Sequence, residues 1–123
     1  LEKPSQSNGK KTEPNNVITF DEFQNVELKT AKVLEAEKVE GADKLLKLQI
    51  EVGDEKKQII SGIAQHYSTE NLIGKMIVVV TNLKPATIFG LESYGMLLAA
   101  KKGKDLTLIT IDGEKVKSGM KIY

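Results

Sequence analysis

An all-β fold is what this sequence predicts: a five-stranded Greek-key barrel with short helices and a C-terminal β extension. Three observations predict it. Apolar and polar residues alternate over Leu46–Val52, the mark of a strand with one wet face. Met76–Val80 is an unbroken apolar run, suited to a strand buried on both faces. Turn signals at Gly53-Asp54, Lys102-Gly103-Lys104 and Asp112-Gly113 fall between such runs at hairpin spacing.

The elements follow in order. Residues 1–17 carry Pro4, Gly9 and Pro14 among Ser, Asn and Lys, a flexible linker or tail with nothing to bury. The domain, residues 18–123, opens on Thr19 and Glu22, which form a capping-box pattern. Ile18 and Phe23 sit where a hydrophobic staple would close, so a helical turn is expected over Phe20–Gln24. The first strand follows and carries Lys29 and Lys32; Glu35, Glu37 and Glu40 near its end suit a solvated edge that discourages edge-to-edge pairing. Leu46–Val52 turns through Gly53-Asp54 and returns over Gln58–Ser61. Ser68 caps a second helical turn, with Tyr67 and Leu72 as its staple and Gly74 as its stop. Met76–Val80 is the fourth strand, and Pro85 ends ladder pairing after it. Leu97–Ala100 and Leu106–Ile111 form a last hairpin. Three strands, a short helix and two strands is the order of an OB-fold; a β-sandwich competes, but the chain is short of strands for one. Residues 112–123 are surplus to that barrel, and Val116, Met120, Ile122 and Tyr123 make them more apolar than a solvated tail, so they are read as an intramolecular lid or a dimer interface.

Composition excludes several function classes. Cys is absent, which removes disulfides, thiolate metal sites and cysteine nucleophiles. No apolar run approaches the ~20 residues that span a bilayer, and no secretory signal is visible, so no membrane partner and a cytoplasmic location are expected. The chain starts at Leu1 rather than Met, which suggests a piece of a longer protein. Catalytic signals are weak. His66 is the only histidine and has no evident nucleophile nearby in sequence. Ser61-Gly62 lacks the spacing of a nucleophile elbow, and no phosphate-cradling glycine loop is present. No enzyme activity, metal or cofactor is expected of this chain.

Binding signals are better. Net charge is only +1, yet all 18 cations are Lys, a surface suited to phosphate contacts rather than bidentate base reading. Lys29, Lys32, Lys47, Lys84 and Lys101 are candidates if the barrel brings them to one face. The stretch Asn82–Ala100 is the most specific: Lys84 can pair with phosphate, Asn82 and Ser93 can hydrogen-bond bases or riboses, and Met96 can lie against a base. The plainer alternative makes Met96 core filler and Ser93 a turn former.

Five segments carry a family resemblance: Phe23–Lys29, Gly41–Leu46, Ser61–Ala64, Asn82–Pro85 and Glu92–Ala99. Phe20–Tyr123 resembles the tRNA-binding domain appended to bacterial methionyl-tRNA synthetases. It also looks like free-standing tRNA-binding proteins and related domains in synthetase cofactors. Lys29 stands where that family usually has Arg, Thr30-Ala31 where it has Val-Gly, and Val39-Glu40-Gly41 in place of a His-Pro turn. The resemblance implies an OB-fold that binds tRNA by shape and backbone, and a homodimer whose interface is the C-terminal extension. The first seventeen residues would be the linker from a synthetase catalytic body acting in cis. A homodimeric peptide-binding chaperone of the same fold is the alternative.

Overall fold

The computed structural model describes residues 16–123, so residues 1–15 of the expected linker lie outside the described part of the chain. Helix α1 (Phe20–Phe23) starts as the sequence predicts: the Glu22 N–H donates to Thr19 Oγ1 at 3.1 Å and the Thr19 N–H donates to Glu22 Oε1 at 2.8 Å. Ile18 stays 56% exposed, so a staple contributes little burial there. Helix α2 (Thr69–Leu72) is capped by Ser68, whose hydroxyl accepts from the Asn71 N–H at 3.2 Å. Among the described residues no helix is long and apolar enough to cross a membrane.

The body is an antiparallel sheet. Strands β1 (Leu28–Val39), β2 (Ala42–Val52), β3 (Glu55–Ser61) and β4 (Met76–Val80) appear in that chain order. Then come β5 (Ala86–Ile88), β6 (Leu91–Ser93), β7 (Met96–Leu97), β8 (Ala99–Lys102), β9 (Asp105–Leu108) and β10 (Lys121–Ile122). The main sheet runs β3-β2-β1-β4-β7, with β10 pairing the start of β1. The pairs β5-β6 and β8-β9 are separate hairpins. Side-chain alternation decides the faces. Leu46, Leu48 and Ile50 are fully buried and point one way, together with Ala31, Val33, Ile59, Ile77 and Val79. That inner face is the core, and it is aliphatic throughout, as a chain without Trp requires. Ile77 to Val80 are buried on both faces, as their unbroken apolar run predicts.

The ladder stays open between β3 and β7, and Glu92–Tyr94 spans the gap. The Tyr94 N–H donates to the Gln58 carbonyl at 2.8 Å, Gln58 Nε2 donates to the Glu92 carbonyl at 3.0 Å, and the Ile60 N–H donates to Ser93 Oγ at 2.9 Å. Gly95 then passes over β4: a β-carbon there would lie 3.0 Å from the Val80 carbonyl and 3.2 Å from a Val79 methyl. The glycine therefore lets the chain turn from β3 onto β4 and complete an OB-like barrel.

Two elements differ from the sequence reading. The stretch after Pro85 contains a hairpin, β5-β6, where the sequence reading places no strand. The C-terminal extension is a strand only over Lys121–Ile122, and it docks on its own chain. The Thr30 N–H donates to the Met120 carbonyl at 2.9 Å, the Gly119 N–H donates to the Thr30 carbonyl at 2.7 Å, and the Met120 N–H donates to the Thr30 hydroxyl at 2.9 Å. Thr30 is buried, and this pairing satisfies its polar groups.

Candidate nucleic-acid interface

The loop between β4 and β7, residues 81–95, carries three of the residues singled out by sequence, Asn82, Lys84 and Ser93. Asn82 begins it. Its Oδ1 accepts from the Glu27 N–H at 2.9 Å and its Nδ2 donates to the Asn25 carbonyl at 2.8 Å. The amide thus ties the loop to the segment that enters β1, which positions its neighbours. Lys84, two residues on, is exposed. Met96 is 49% exposed beside Val80 on β7, so it is not core filler.

Ser93 requires a correction. It is 3% exposed, and its hydroxyl accepts from the Ile60 N–H and donates to the Gly95 carbonyl at 3.1 Å. A buried hydroxyl engaged twice by backbone is a closure of the barrel edge, not a contact to bases or riboses. The expected surface patch of four residues therefore reduces to Lys84 and Met96, with Asn82 holding the loop in place.

The other lysines spread along the barrel. Lys29 lies opposite Val79 and lines a cavity of about 300 Å³ with Glu27, Asp54, Glu55, Lys57 and Thr81. That cavity is mixed in charge. The Thr81 hydroxyl donates to the Glu27 carboxylate, and this bond holds the Glu27 carboxyl below its ordinary range against an opposing desolvation, with Lys29, Lys121 and Lys57 assisting. Lys32 lies opposite Met76, at the far end of β4 from Asn82. Lys101, opposite Leu106, sits on the β8-β9 hairpin, which leaves the sheet past that same far end. Lys47 lies opposite Glu37 and pairs with its carboxylate at 2.8 Å. Lys84 and Lys101 thus belong to opposite ends of β4, and the lysines do not converge on one point. Their dispersal over the barrel suits a long polyanion better than a small anion.

Among the described residues no group of three or more His, Asp or Glu side chains is placed to hold a metal ion. His66 is exposed, its N–H donating to the Ile63 carbonyl at 3.0 Å in the turn before α2.

Residues 28–121 match the model of the family described as "Putative tRNA binding domain". The chain belongs to this tRNA-binding domain family. It is 59% identical over 107 residues to the methionine–tRNA ligase of Thermotoga maritima, covering 87% of this chain and 17% of the ligase. This tRNA-binding domain therefore spans less than a fifth of the length of that relative. Among solved structures, a MetRS related protein from Pyrococcus horikoshii superposes with a TM-score of 0.79 at 36% identity, covering 88% of this chain and 99% of that one. The chaperone CsaA from Bacillus anthracis also gives 0.79, at 28% identity, covering 87% and 99%.

The sequence reading missed one exposed pair on this tRNA-binding domain. Phe89, 59% exposed, sits at the tip of the β5-β6 hairpin, and Tyr94, 42% exposed, lies at its root. An aromatic directly ahead of Gly90 is the signal that points to the first of them.

Of the residues expected at a dimer interface, Val116 and Ile122 are half-buried against their own chain. Met120 and Tyr123 are 48% and 88% exposed, and the Lys121 ammonium lies 5.4 Å from the centre of the Tyr123 ring. The lid and the interface are thus compatible: docking in cis presents Met120 and Tyr123 outward.

Proposed function

We propose that this chain is a non-catalytic tRNA-binding appendage of a methionyl-tRNA synthetase, residues 18–123 forming the domain. The observation that carries it is the family match over residues 28–121 together with 59% identity to a methionine–tRNA ligase. The appendage would hold folded tRNA by shape and by lysine–phosphate contacts, with Lys84 the foremost exposed cation and Lys29, Lys32, Lys47 and Lys101 adding attraction along the barrel. A-form helices and folded loops are recognised in this way, with little base reading. Linked in cis through residues 1–17 to a catalytic body, it would raise the local tRNA concentration there without doing chemistry itself. The setting is the cytoplasm, and neither cofactor nor metal enters the binding step.

The same reading includes a homodimer. The docked extension would present Met120 and Tyr123 to a two-fold mate, giving two lysine-bearing barrels per assembly. Sedimentation of the chain at micromolar concentration tests this: twice the chain mass supports it, and the monomer mass contradicts it.

A second reading rests on the likeness to chaperone CsaA, which is as good in TM-score as that to the MetRS related protein. Under it the same face binds extended peptides. Filter binding with folded tRNA, in competition with an unstructured peptide, separates the two.

A further inference from the structure

The β5-β6 hairpin turns in two residues, Phe89 and Gly90, between the paired Ile88 and Leu91. Both have positive φ, +52° and +79°, the φ signature of a type I′ turn. Asn, Asp or Gly is the usual first residue of such a turn, because a β-carbon at positive φ crowds the following carbonyl. Phe89 is the one non-glycine residue with positive φ among those described. The turn alone does not ask for an aromatic. Core packing does not ask for one either, since 59% of the residue is exposed.

What the ring does touch is Gly41, in the β1-β2 turn. A β-carbon on Gly41 would meet Phe89 Cζ at 3.4 Å and Cε2 at 3.6 Å. The far edge of the ring therefore lies against bare backbone, and more than half of the residue stays open to solvent. The two loops that meet here, β1-β2 and β4-β7, are the pair that flanks the oligonucleotide face of OB barrels. Exposed lysines flank the contact in the chain, Lys38 at the end of β1, Lys44 at the start of β2 and Lys84 at the root of the hairpin, with the acidic Glu40 and Asp43 between Lys38 and Lys44. A fixed, half-open ring between lysine-bearing loops has the form of a stacking site, since every nucleobase offers a π-face whatever its sequence.

We propose that the Phe89 ring, braced on Gly41, is a stacking platform for one unpaired base of a bound tRNA. This rests on the tRNA-binding reading above and adds to it an aromatic contact outside the motif residues. Phosphate attraction from the lysines brings the RNA to this end of the barrel; the ring then holds one splayed base at a fixed place.

Two variants test it. Phe89→Asn removes the ring and puts a favoured residue in the turn, so its melting temperature should equal or exceed that of the wild type. Its tRNA affinity should fall roughly 5- to 150-fold, the range for loss of one base–aromatic stack. The slope of log Kd against log salt should not change, because no phosphate contact is lost. Phe89→Trp keeps the platform and introduces the only tryptophan in the chain. It should bind tRNA as the wild type does, and its emission should be quenched as the site fills. Wild-type affinity in Phe89→Asn, or unchanged tryptophan emission at tRNA concentrations that saturate filter binding, overturns the platform alone. Failure of the wild-type chain to bind tRNA overturns the underlying reading and the platform with it.

Discussion

Gly119→Ala should release the C-terminal extension. Gly119 has φ +85°, and a β-carbon on it would lie 2.6 Å from Gly53 Cα and 2.7 Å from Gly53 N. Carbon atoms in good contact stand ~3.5–4 Å apart, so the two backbones must separate by about 1 Å or more. Neither is a flexible side-chain end. The hydrogen bonds at stake link Thr30 to Lys117, Gly119 and Met120, and Ser118 to Gly53 and Glu51. Each contributes about 0.5–1.5 kcal/mol net. Undocking recovers about 1–2 kcal/mol of backbone entropy per freed residue, which caps the penalty at a few kcal/mol. The left-handed backbone alone costs an alanine about 1–2 kcal/mol. A loss of about 1–3 kcal/mol is therefore expected, which lowers Tm by roughly 4–14 °C for a domain of this size. Hydrogen exchange gives the site-specific readout: the Thr30 amide, bonded to Met120 in the wild type, should lose protection while core amides such as that of Val33 keep most of theirs. Sedimentation should show a shift toward monomer, since Met120 and Tyr123 would no longer be held in place. Unchanged Tm together with full Thr30 protection would refute the reasoning.

Further outcomes follow from the same geometry. Ser93→Ala leaves the buried Ile60 N–H without its acceptor and should cost about 1–3 kcal/mol in urea denaturation, with the salt slope of tRNA binding unchanged. Asn82→Ala removes both bonds that tie the loop to Glu27 and Asn25 and should lower stability by about 1–2 kcal/mol; weaker tRNA binding at full stability would make Asn82 a direct contact instead. Lys84→Ala should weaken all tRNAs alike and reduce the magnitude of the salt slope by about one, whereas altered preference at constant slope would count against a phosphate contact. Glu27 has a lowered folded-state pKa, so its contribution is present above the ordinary carboxylate range and is lost as pH falls through the folded value; Glu27→Gln should flatten the acid limb of the stability profile in that window, and an unaltered limb would remove Glu27 from the account.

Local chemistry made much of this fold legible. Thr19 with Glu22, Ser68 and Gly53-Asp54 specify caps and a turn through contacts within a few residues, and each forms as the sequence implies. The period-two pattern of Leu46–Val52 fixes which side faces the core. The β5-β6 hairpin was not legible because Phe89-Gly90 is an unusual pair for a type I′ turn, and the ring's neighbour, Gly41, is distant in sequence. Ser93 misled for a related reason. Its partner, the edge N–H of Ile60, is 33 residues away, and a motif serine that closes a barrel looks the same in sequence as one that contacts RNA. Likewise the lysines gave their number but not their directions. The registers place Lys32 opposite Met76 and Lys29 opposite Val79, so one cation belongs to each end of β4 only once the pairing is known.

Binding of folded tRNA by the chain across a salt series tests the account most directly, with an unstructured peptide as competitor. The account predicts saturable tRNA binding whose log Kd rises linearly with log salt, from displacement of counterions by several lysines, and no displacement by the peptide. Tight peptide binding with no salt-dependent tRNA binding would contradict it.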